Sequence, residues 1–178
     1  MKDPIRKKIS VLSAVTLIVG SMFLGTSESW AQQKAGDAAK QIVGVWKLVS
    51  SVNTAKDGKV TKGISFGPNP NGRFIFTGNG YYASINTNPN IPKFASGNRM
   101  QGTAEENKAV VQGSIANFGT YSVSPDGKVL TLKIEGSTWA HWVGTEDKRN
   151  LTINGDDMKY TLSSTVGGTS ELTYRRLK

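Results

Sequence analysis

The stretch Gly44-Val45-Trp46-Lys47-Leu48-Val49-Ser50 places a glycine two positions before a tryptophan, at the head of the first run with strand character. An indole here carries too much apolar surface for a wet face, so it belongs inside. In a sheet rolled shut, the first strand has to seal one end of the cylinder. An inward Trp46 fills that end, and Gly44 lets neighbouring groups approach closely. A cation from the last strand can lie across the indole. The segment Leu172-Thr173-Tyr174-Arg175-Arg176-Leu177 supplies two. Gly44, Trp46, Arg175 and Arg176 are therefore the residues expected to close the barrel.

Working outward, short runs of Val, Ile, Thr, Tyr and Phe alternate with turn signals. Phe74–Phe76 and Tyr81–Ile85 flank Thr77-Gly78-Asn79-Gly80, where Asn-Gly supplies a hairpin turn. Phe118–Ser124 and Lys128–Glu135 flank Pro125-Asp126-Gly127. Asn150–Asn154 and Met158–Ser163 flank Gly155-Asp156, and Gly167-Gly168 leads into Ser170–Leu177. With Val45–Val52 and Lys59–Ser65 the count reaches about eight or nine antiparallel strands, which suits a small closed barrel. Leu130, Leu132 and Ile134 alternate with Thr131, Lys133 and Glu135, so one face of that strand is buried. Thr103-Ala104-Glu105-Glu106 has the form of a capping box and starts a helix over Ala104–Ala116. Thr87–Gly102 before it reads as a long loop of the kind that gates a site.

The chain of 178 residues fits one domain. Residues 1–31 have the layout of a secretory signal peptide: a basic start (MKDPIRKK), an apolar run from Ile9 to Gly25, and Ser29-Trp30-Ala31. The expectation is export, periplasmic or secreted, with cleavage after Ala31, a linker over 32–41 and a barrel over 42–178. The formal charge is +9 at pH 7. The basic residues are scattered and form no tract of the kind that binds nucleic acid. Transient contact with an anionic membrane surface fits that charge, as does a plain solvated surface. No cysteine is present, which excludes disulfides, thiol catalysis and lipid attachment at a cysteine. A single histidine, His141, excludes any multi-histidine metal site, and no cofactor or metal is expected.

Five ordered motifs carry a resemblance. Gly44-x-Trp46, Phe66-Gly67-Pro68-Asn69-Pro70, Phe118-Gly119-Thr120-Tyr121, Glu135-Gly136-Ser137 and Trp142-Val143-Gly144-Thr145 resemble the bacterial and fungal lipocalin-like domain family, over about Val43 to Leu177. The resemblance implies an all-β fold: a single closed antiparallel lipocalin-like barrel with one short helix. It implies no single chemistry.

The expected function is binding of a small hydrophobic molecule in the barrel interior. Trp46, Tyr82, Phe118, Tyr121, Trp139, Trp142, Tyr160 and Tyr174 are the candidate lining, and each is equally suited to plain core packing. Two other readings stay open. One is an isomerase, cyclase or hydrolase of a hydrophobic metabolite, with His141 or Glu135 as base. No serine or cysteine nucleophile motif accompanies that pair, and Glu135 can equally cap a strand end while His141 lies on a loop. The other is a packed barrel that acts through its surface.

Overall fold

In the computed structural model, residue 37 and residues 39–178 are described. The leader and its expected cleavage point lie outside the described residues. Nine strands follow in chain order: β1 (Gly44–Thr54), β2 (Val60–Lys62), β3 (Asn71–Phe76), β4 (Tyr81–Thr87), β5 (Ser114–Val123), β6 (Val129–Ser137), β7 (Glu146–Asn154), β8 (Asp157–Ser163) and β9 (Thr169–Arg176). The hairpin turns fall where the Gly-containing turn signals put them. Each strand from β3 to β9 pairs antiparallel with the next, and β9 returns to β1 from Trp46↔Arg176 to Thr54↔Thr169. The result is a closed eight-stranded barrel, with β2 as an added ninth strand paired to the end of β1. Closure removes the exposed edges that an open sheet would present.

Two irregularities shape the cylinder. Strand β1 meets β3 only over Gly44–Lys47, and then shifts register against β9 between Leu48 and Ser50. The shift switches which residues face inward, from Trp46 and Leu48 to Ser51 and Asn53. Past it β1 leaves β3, and β2 takes the vacated edge at Val52–Thr54. The second shift lies between Phe118 and Gly119, opposite Glu135 of β6. A Cβ on Gly119 would collide with the Lys133 carbonyl oxygen, so only glycine permits the two backbones to close there.

The helix α1 spans Ala104–Gly113, shorter than the expected Ala104–Ala116. The strand register wins: Ser114, Ile115 and Ala116 pair with Thr87, Asn86 and Ile85. The capping box is present, with the Glu106 amide donating to Thr103 Oγ1 (3.2 Å) and the Thr103 amide to Glu106 Oε2 (2.8 Å). The other Glu106 oxygen accepts from the Ala95 amide (2.7 Å), which ties the 87–102 loop to the helix start.

One end of the barrel is filled solid. Trp46 is fully buried and donates its Nε1–H to the Ile42 carbonyl (2.7 Å). The Arg176 guanidinium lies 4.1 Å from the centre of the indole ring and donates to the Val43 carbonyl (2.7 Å) and to the Gln41 carbonyl. Gly44 has φ +132°, and a Cβ there would sit 2.8 Å from Arg176 Nη1. Its lack of a side chain makes the room that the arginine occupies. Above the indole, Phe74 is the hub of an aromatic column. It stacks on Phe76 (4.2 Å between centroids) and meets the rings of Tyr82, Tyr160 and Tyr174 at 5.6–6.0 Å.

Arg175 does not share in the closure. One step along β9 puts it on the outer face, with its side chain 65 % exposed and paired with Asp157 (2.9 Å). The alternation that turns Arg176 toward the indole turns Arg175 away from it.

Candidate functional site

The interior polarity is graded from end to end. At the closed end Ile42, Trp46, Leu48, Phe74, Phe76, Leu130, Leu132 and Met158 are buried. Toward the opposite end the buried inward residues are Ser51, Asn53, Ser84, Asn86, Asn117 and Arg149. Side chains that could fill the upper barrel with carbon are thus replaced by small polar ones and a single cation. A chamber of about 60 Å³ opens among them, lined in part by Ser51, Ser84, Asn86, Asn117, Arg149 and Tyr160.

Arg149 is the buried charge of this chamber, only 3 % exposed. Its Nε donates to Asp147 Oδ2 (2.9 Å), two residues nearer the rim on the same face of β7. Its guanidinium carbon lies 4.6 Å from the Tyr160 ring centre and 5.8 Å from that of Phe74. Burial pulls its pKa down, but Tyr160 and Asp147 outweigh that and hold it above its ordinary value, so it stays charged. Beneath it Tyr160 and Tyr174 share a hydroxyl hydrogen bond (3.1 Å), and Tyr174 donates to Asn86 Oδ1 (3.0 Å). Tyr82 Oη and Asn117 Oδ1 are buried with no hydrogen-bond partner. Burial pushes the Tyr82 hydroxyl up to about 12, against the lowering effect of Arg149, so it is a neutral donor.

Outside the chamber lies a larger apolar vestibule of about 520 Å³. The divergence of β1 from β3 lets the 63–70 segment supply Ile64 and Phe66. The end of α1 supplies Val110 and Val111, the residues after β6 supply Trp139, and the β8–β9 turn supplies Val166. Ile64, Phe66 and Ile115 border both spaces, so vestibule and chamber adjoin each other. Together they reach the size range of small-molecule pockets.

The expected lining residues divide accordingly. Trp142 and Tyr160 border the chamber, and Trp139 borders the vestibule. Trp46, Tyr82 and Tyr174 are packed in the core and border neither space. Tyr121 packs edge-on against Phe76 near the closed end, with its hydroxyl donating to the Thr77 carbonyl (2.8 Å). Phe118 is a correction: it lies on the outer face, 55 % exposed, with its ring over Gly136 where a Cβ would clash. Its neighbours Asn117 and Gly119 hold the inward positions of β5, which leaves Phe118 outside.

The two candidate bases do not meet. Glu135 is on the outer face at the β6 irregularity, and His141 is exposed in the short 3-10 turn Ala140–Trp142, packed against Trp139 at 4.9 Å. Among the described residues no hydrogen bond joins them, and the lining of the chamber contains neither carboxylate nor imidazole. No group of three metal-ligating side chains occurs among the described residues.

Arg149, Asn86, Asn117 and Ile115 are absent from the expected lining. A signal for Arg149 exists in the sequence: Asp147, Arg149, Leu151 and Ile153 alternate in phase, so a strand begun before Asn150 puts the arginine on the apolar side.

Among solved structures, a redesigned β-barrel is similar at 14 % identity and a TM-score of 0.42, over 79 % of this chain and 96 % of its own. A lipocalin-like protein from Bacteroides uniformis is similar at 13 % identity and 0.41, over 77 % and 99 %. A variant of the fluorescent protein UnaG is similar at 14 % identity and 0.39, over 78 % and 98 %. No curated protein matches the chain. The lipocalin-like domain family matches residues 43–176, from the residue before β1 to the last residue of β9. The chain therefore belongs to the lipocalin-like domain family.

Proposed function

We propose that this barrel is a binding protein for a small hydrophobic molecule, seated at the open end and not along the whole interior. The observation that carries the reading is the adjoining vestibule and chamber, apolar outside and with buried polar groups within, above a packed aromatic floor. Apolar walls with a few convergent polar groups are the usual make-up of such a site. The absence of a carboxylate or imidazole from the chamber lining favours binding over acid–base turnover. Export with removal of residues 1–31, and contact with anionic membrane surfaces, belong to the same proposal. They are supported by the basic and apolar leader and by the positive charge.

The neutral fluorophore N-phenyl-1-naphthylamine provides the test. Its emission is expected to rise on binding to the wild-type protein. Ile115 stands where vestibule and chamber join, so Ile115→Trp should weaken that binding by roughly tenfold or more through steric filling. Circular dichroism checks that the variant is folded. No rise in emission, or equal binding by the folded variant, defeats the reading.

A further inference from the structure

We propose that the chamber is a head-group site in which Arg149 receives the carboxylate of an amphipathic monocarboxylate whose apolar body occupies the vestibule. This rests on the binding reading above and adds the chemical class of the ligand.

Three observations converge. First, the guanidinium has five N–H donors, and within hydrogen-bonding geometry it uses one, Nε to Asp147. Apart from a donor turned toward the Tyr160 hydroxyl, its Nη groups are left for the chamber that the residue lines. A planar fork matches a planar carboxylate in a bidentate pair. Second, the charge is not evenly compensated. Arg149 has a side chain 3 % exposed, whereas that of Asp147 is 22 % exposed nearer the rim. Water screens the carboxylate more than the cation, so the chamber keeps a positive character. Third, the surroundings are built to hold a polar group. Ser51, Ser84, Asn86 and Asn117 converge on the chamber, all buried, and the serine hydroxyls and the Asn117 side-chain NH2 are groups that can donate to a carboxylate oxygen. The chamber has room for roughly four to six water molecules. That suits a carboxylate with its first carbons and leaves the rest of the molecule to Ile64, Phe66, Val110 and Trp139.

The experiment displaces N-phenyl-1-naphthylamine from the full chain at pH 8 with two probes of equal chain length, decanoate and 1-decanol. Wild type should bind decanoate about tenfold more tightly than decanol, as one charge-assisted pair implies. The neutral pair of changes Arg149→Gln with Asp147→Asn should abolish that preference, so that the folded variant binds decanoate no more tightly than decanol. Asp147→Asn alone removes the competing internal carboxylate and should strengthen decanoate binding. An arginine kept only for an internal ion pair predicts no such gain. Wild type that binds decanol as well as decanoate overturns the head-group assignment, and so does loss of decanoate affinity in the folded Asp147→Asn variant. Failure of the fluorophore itself to bind defeats the underlying binding reading instead, so the two failures are distinguishable.

Discussion

Gly44 and Arg176 show how one missing side chain organises the closed end. The guanidinium occupies the position that a Cβ on residue 44 would crowd, and from there it covers the Trp46 indole. Gly44→Ala should cost about 1–3 kcal/mol, part steric and part from forcing an alanine to a positive φ. In an Arg176→Ala background the steric part disappears and only the φ strain remains. Urea denaturation of the two single variants and the double variant reads this as a coupling energy, since the residues touch. Strict additivity would mean that glycine is not making room for the arginine. The Gly-x-Trp pairing was readable in the sequence because glycine and tryptophan each have a narrow set of uses. The choice between Arg175 and Arg176 was not, because both follow the same run and only register decides which faces the indole.

At the scale of elements, α1 and the 87–102 loop are held together by one carboxylate. Glu106 accepts from Thr103 and from Ala95, and these two amides hold its carboxyl below the usual range. A depressed carboxyl contributes stability above its unfolded value, and that contribution is lost as pH falls through the folded value. Glu106→Ala should therefore accelerate amide hydrogen exchange at Ala95 and Thr103 and leave the barrel amides of β6 to β8 unchanged. Unaltered exchange at Ala95 would show that the loop is held by other contacts. The capping box could be read in advance because its donors and acceptors lie within four residues. The Ala95 link spans eleven residues of chain, so no local pattern announced it. The end of the helix at Gly113 had the same kind of cause: pairing of Ser114 with Thr87 outweighs helical propensity in a segment already weakened by glycine.

For the whole molecule, the packed aromatic column and the polar upper chamber divide the barrel between stability and binding. Tyr82, Tyr160 and Tyr174 all have hydroxyls raised by burial, Tyr82 to about 12. The unfolded chain ionises near pH 10 while the folded barrel keeps these protons. Stability should be complete below pH 10 and fall as pH rises from 10 toward 12. Urea midpoints between pH 8 and 11, followed together with tyrosinate absorbance, test the sign. A midpoint that stays level across that range would mean that the rings are not buried as described. The same burial explains why the barrel is not hollow throughout: three tyrosines and Phe76 pack around Phe74 and fill the interior below the chamber.

The sequence by itself determined the class of fold, the hairpins, the helix start and the identity of the plug. Those depend on periods of two residues, on turn chemistry and on motifs a few residues long. Only the tertiary structure decided where a ligand has room. The two register shifts, in β1 at Leu48–Ser50 and in β6 at Glu135, exchange inward for outward residues, so linear counting along those strands assigns faces wrongly past each of them. Closure of the sheet then gathers Asn86, Asn117, Arg149 and Tyr160 from four strands into one chamber, over sequence distances at which no local signal survives.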